Sequence, residues 1–101
     1  MPTTMTPTKV TKLTNALRAW IAKNADLLGS TRVWSADEWK ARNEKYCNGA
    51  LLVVTTEDSL YEGLNYGGLE AMFAEQFHEL LKKHGCYEEP AHAWMRGVYP
   101  E

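Results

Sequence analysis

Four side chains able to bind a metal or move a proton, His78, His84, Cys86 and His92, fall in one short stretch, with Cys47 elsewhere in the chain. Zinc takes nitrogen and sulfur ligands of this kind. The spacing is wrong for it. There is no Cys-x-x-Cys pair and no His-Glu-x-x-His, and His78 and His84 are six apart. On a helix that separation turns them ~120° away from each other. Glu75-Gln76-Phe77-His78 has the Glu-x-x-His spacing of carboxylate-bridged di-metal bundles, which require two such motifs; only one is present. No metal or other cofactor is expected.

Nucleophilic chemistry fares no better. A reactive thiol needs a nearby cation or a helix N-terminus to favour the thiolate. Cys47 and Cys86 each fall after a helical stretch, where the dipole opposes it. No Gly-x-Ser-x-Gly occurs. Asn65-Tyr66-Gly67-Gly68 precedes a helix and could offer N–H groups to an anion, but it has no lysine, and Glu70 follows at once. A pocket in which His78, His92 and Cys86 meet would define a small ligand- or metal-binding domain. A non-enzymatic role is favoured over catalysis.

The elements that must position these residues are clearer. Ser35 and Glu38 stand at capping-box spacing, with Trp34 and Trp39 placed to clamp the chain entering the helix. That spacing predicts a helix over 36–46, ending at Asn48-Gly49. Thr6 and Pro7 predict an earlier start, with Val10, Leu13, Leu17, Trp20, Ile21 and Leu28 at helical spacing over 7–28 and Gly29 as its stop. Ala50–Thr56 is apolar and β-branched, a strand covered on both faces. Ser59-Leu60-Tyr61-Glu62 repeats the capping-box spacing and predicts a turn of helix to Asn65. Leu69, Met72, Phe73, Phe77, Leu80, Leu81 and His84 mark a helix over 69–84. Two extended segments around a turn at Glu89-Pro90-Ala91 complete a C-terminal β-hairpin. Thr31–Trp34 reads as an extended connection or a brief strand.

The result is an α+β fold: a small three-stranded, mostly antiparallel sheet packed against two or three helices. Residues 1–6 read as a flexible N-terminal tail, with Thr6 at its junction with the helix, and residues 7–101 as one domain. At 101 residues there is room for one core and no second domain. No apolar run approaches a membrane span and no secretory signal is visible. With two widely spaced cysteines, this points to a cytoplasmic protein with reduced thiols.

The net charge of −2 hides an asymmetry. Residues 1–50 carry eight basic and four acidic side chains, whereas residues 51–101 carry three and nine. Such a dipole can steer a charged partner or favour head-to-tail contacts between copies. Nucleic-acid binding would use Lys9, Lys12, Arg18, Lys23, Lys40 and Arg42. From Ser35 onward the predicted order resembles that of winged-helix DNA-binding domains: helix, strand, helix, helix, hairpin. In that arrangement the 69–84 helix would enter the groove, yet it exposes Glu70, Glu75 and Glu79. Nucleic acid is therefore disfavoured.

The aromatics remain. Trp and Tyr are enriched in binding hot spots. Tyr61, Tyr66, Tyr87, Trp94 and Tyr99 gather in the loop and hairpin beside acids including Glu62 and Glu88. They define a candidate protein-contact rim. The preferred reading is a small protein-binding module of the inhibitor, adaptor or accessory kind that bacteria and phages encode. Its partner is another protein or itself, as a homodimer, with no membrane.

Overall fold

The computed structural model describes residues 6–101; the rest of the expected tail, residues 1–5, lies outside the described residues. Thr6 is an N-cap: the Lys9 N–H donates to its hydroxyl at 3.3 Å, and Pro7 follows where a missing N–H costs nothing. Helix α1 (Pro7–Lys23) buries Leu13 and Leu17. The helix expected to reach residue 28 breaks at Asn24. Its side-chain amide donates to the Trp20 carbonyl at 2.9 Å, competing with the helical ladder. The chain turns into the short helix α2 (Ala25–Leu28), which delivers Leu28 to the core.

Strand β1 (Arg32–Ser35) pairs antiparallel with β2 (Leu52–Thr55), Val33 opposite Val54 and Trp34 opposite Val53. The expected three-stranded sheet is therefore four-stranded, because the 31–34 connection is a strand. Helix α3 (Ala36–Ala41) starts with the predicted capping box. The Glu38 N–H donates to Ser35 Oγ at 3.1 Å, and the Ser35 N–H to Glu38 Oε1 at 2.9 Å. The Trp34 and Trp39 rings meet edge-on at 6.1 Å. The helix stops at Ala41, short of the expected residue 46. Asn43 takes a φ of 56°, and the chain doubles back so that Tyr46 O accepts from buried Trp39 Nε1 at 2.7 Å.

Helix α4 (Ser59–Asn65) is capped by Asp58 and not by Ser59. The Asp58 carboxylate accepts from the Leu60 N–H at 3.2 Å, the Thr31 hydroxyl at 2.8 Å and the Ser30 N–H at 3.0 Å. One side chain thus caps a helix and anchors the loop before β1. Gly67 and Gly68, at φ 73° and 68°, then reverse the chain through conformations that disfavour other residues. A 3-10 turn (Gly68–Glu70) leads into α5 (Ala71–Lys83), two residues later than expected.

Strands β3 (Cys86–His92) and β4 (Met95–Pro100) form the hairpin and give the sheet order β1-β2-β4-β3. Its turn is Ala93-Trp94, not Glu89-Pro90-Ala91. Pro90 lies within β3 at the sheet edge, where its missing N–H is tolerated, beside an irregularity between Pro90 and His92. Among the described residues five α-helices, more than the two or three expected, dress the sheet. On one face α1, α4 and α5 bury Leu13, Leu17, Leu60, Phe77 and Leu81 against Val54 and Val98. On the other, Trp39 and Ala50 cover Val53 and Met95. Trp20 stacks on Phe77 at 6.2 Å and donates its indole N–H to Gln76 at 2.9 Å.

Candidate functional site

The groups singled out for chemistry point apart. His78 Nε2 lies 3.2 Å from Glu88 Oε1. His84 Nδ1 lies 2.9 Å from the Leu80 carbonyl. The His92 ring sits between Tyr46, at 4.6 Å, and Trp94, at 5.8 Å. Among the described residues no three His, Cys, Asp or Glu side chains converge as a metal set. His78 and Cys86 share a depression of about 250 Å³ with Glu88, but His92 is not part of it. Burial pushes both thiols up, Cys47 further by the Glu89 charge and Cys86 by that of Glu101. Two of the six basic residues considered for nucleic acid have structural partners. Arg18 donates to Val33 O at 3.0 Å and Glu38 at 3.2 Å; Arg42 lies 4.5 Å over the Trp34 ring.

The rim residues divide. Glu88 and Tyr99 turn inward. Glu88 is nearly covered and pairs with buried Arg96, Nη1 to Oε2 at 3.4 Å. Tyr99 lies over Gly97, where a Cβ would come within 3.0 Å of its ring and 3.1 Å of Cys47 Sγ. Tyr87 is exposed on β3, its hydroxyl 3.4 Å from Glu89. Tyr61, Glu62, Tyr66 and Trp94 belong to a different region, the end of α4 and the hairpin tip.

Arg96 and Asn65 build that region. Arg96 Nη2 donates to Asn65 Oδ1 at 3.1 Å. The Asn65 amide donates to Tyr61 O at 2.8 Å, inside α4, and to Ala93 O at 2.9 Å, at the hairpin turn. Asn65 precedes Tyr66 and Ala93 precedes Trp94, so these bonds bring the two aromatic segments side by side. Tyr61 and Tyr66 meet edge-on at 6.1 Å, and the neighbouring Tyr66 side chain is the main cause raising the Tyr61 phenol above its usual range.

Two further residues complete the corner. Leu69, in the 3-10 turn, is 90% exposed; Tyr66 is 71% and Met72 52% exposed. The sequence places Leu69 and Met72 on the buried stripe of a continuous 69–84 helix. The Gly67-Gly68 reversal and the 3-10 turn take Leu69 out of that helix, so its i+4 relation to buried Phe73 no longer sets its direction. Met72 lies ~100° round the helix from Phe73. The double glycine was the available signal. Glu62 is exposed one turn before Tyr66, and Glu75 one turn after Met72.

A second surface feature shares none of these residues. A groove of about 450 Å³ runs between α1, α2, β1 and α3. Ile21, Ala22, Ala25, Val33 and Trp34 supply its apolar lining, and Arg18, Arg32 and Glu38 its charges. No helix among the described residues is long and apolar enough to cross a membrane. Compared with known proteins, the chain matches no family model, no curated protein and no solved structure.

Proposed function

We propose that the protein is a non-enzymatic binding module whose contact surface is the α4–α5 corner: Tyr61, Tyr66, Leu69 and Met72, with Trp94 beside them and Glu62 at the margin. The observation that carries this reading is the exposure of three large apolar side chains, Tyr66, Leu69 and Met72, close together in the chain, with Leu69 almost wholly exposed. Single exposed apolar side chains are ordinary, whereas several from one short segment held on a rigid frame mark an interaction site. The frame here is the Arg96–Asn65–Ala93 bonding. Of the rim residues expected from the sequence, Glu88 supports the surface from within through Arg96, whereas Tyr99 packs on the opposite face of the sheet and Tyr87 lies outside the corner.

The connectivity favours one other comparison. The α4–α5 pair followed by a hairpin, with β2 beside β4, follows the winged-helix order. The charge opposes its usual use. Residues 46–81 contain six acidic side chains and no Lys or Arg, and α5 exposes Glu75 and Glu79. A polyanion would be repelled from this face. The winged-helix-like arrangement serves here as a scaffold for protein contact.

Capture experiments with Tyr66→Ala, Leu69→Ser and Trp94→Ala test the reading, with Asn15→Ser on the exposed side of α1 as control. The three corner variants fold normally and lose partner capture while the control retains it. Equal capture by all four withdraws the proposal.

A further inference from the structure

We propose that the corner docks onto a second copy of this chain, head to tail, with Leu69 and Tyr66 of one copy entering the α1–α2–β1–α3 groove of the next. This inference rests on the corner being a contact surface and names what covers it.

Charge selects the geometry. The corner has an apolar centre flanked by Glu62, Glu70 and Glu75, and no Lys or Arg occurs anywhere in residues 46–81. A two-fold contact would place the same patch against itself, acid facing acid. Like charges brought together in this way oppose association. The corner therefore needs a partner that is apolar at its centre and basic at its edge. The same chain carries one. The groove has an apolar lining, two arginines and one acid, Glu38, which Arg18 neutralises, so Arg32 leaves it net basic. Arg18 is already held by Val33 O and Glu38. Arg32 is exposed and makes no ion pair among the described residues, which leaves it available to an incoming carboxylate.

Size and separation agree with this. The groove's volume of about 450 Å³ lies in the range that encloses small ligands, enough for protruding side chains. Corner and groove have no residue in common, so one molecule can offer both at once. Such a contact is heterologous, and each added copy leaves one corner and one groove open.

The test is sedimentation equilibrium on the full chain from about 10 μM to about 1 mM, the range suited to small polar-rimmed contacts. The average mass should rise beyond that of a dimer and fall on adding salt. Leu69→Glu and Arg32→Glu should each weaken association at least tenfold, with Ala22→Glu as a second groove variant, all checked for folding by circular dichroism. Mixing Leu69→Glu, which keeps its groove, with Arg32→Glu, which keeps its corner, should restore association but stop it at one-to-one dimers. A strictly monomeric chain overturns the proposal. So does a mass that saturates at dimer with no complementation in the mixture, or association indifferent to both groove variants. A monomeric chain that still captures a different protein through residue 69 removes self-docking and leaves the contact surface standing; loss of both removes both.

Discussion

Glu88 and Arg96 meet diagonally across adjacent strands of the hairpin, Oε2 to Nη1 at 3.4 Å, with side chains 11% and 7% exposed. Arg96 also donates to Asn65, so the pair joins β3, β4 and the end of α4. Arg96 Nε is buried with no hydrogen-bond partner among the described residues, which makes the guanidinium dependent on its remaining contacts. Removing one member of a buried pair strands the other charge in a poorly solvated place. Glu88→Ala should therefore cost about 3–5 kcal/mol in urea unfolding, whereas the double change Glu88→Leu with Arg96→Met should cost less than Glu88→Ala alone. A small loss for Glu88→Ala would mean that water reaches the guanidinium.

Glu38 sets an acid limit on the start of α3. Its carboxyl is held below the ordinary carboxylate range, first by the Ser35 backbone N–H, then by the Ser35 side chain, with the Arg18 charge adding to both. A folded-state value below the unfolded one stabilises the protein at neutral pH, and that contribution is lost as pH falls through the folded value. Amide exchange at Ser35 should accelerate as pH drops below the carboxylate range, beyond the intrinsic pH trend. In Glu38→Gln that extra dependence should vanish. Persistence in Glu38→Gln would assign it to another group.

Gly63 is fixed by packing. It is buried in α4, and a Cβ there would run into the backbone carbonyl of Glu70. Alanine is a better helix former by ~1 kcal/mol. The clash is with backbone and cannot be relieved by a rotamer change, so overpacking of about 1–3 kcal/mol should prevail. Gly63→Ala should unfold at lower urea. Gly49→Ala meets nothing within 4 Å and should gain about 0.4–1 kcal/mol through the unfolded chain. Equal effects at the two sites would contradict the close approach of α4 to the 3-10 turn.

The legible parts of this fold are those written in adjacent residues. Thr6-Pro7 and Ser35-x-x-Glu38 each define a helix start through side chains within one turn, and both caps form as read. Ala50–Thr56 declares a central strand by composition, and the strand lies between two others. What stayed hidden depends on distant partners. Arg32–Ser35 is a strand because β2 offers it an edge. Asp58, not Ser59, caps α4 because the loop at Ser30 and Thr31 also needs its carboxylate. The hairpin turns at Ala93-Trp94 because β4 pairs with β2 and places Pro90 on the outer strand. At the site, the aromatic cluster was visible as composition, but the inward turn of Glu88 and Tyr99 required the sheet register. Leu69 and Met72 looked like core until Gly67-Gly68 broke the helix ahead of them.

The most direct test of the central claim is photo-crosslinking from position 69 in cells of the source organism, with the same probe at exposed position 15 as reference. Position 69 should give a discrete covalent adduct to a polypeptide, a second copy or another protein, and position 15 none. Adducts of equal yield from both positions, or none from position 69, would contradict the claim.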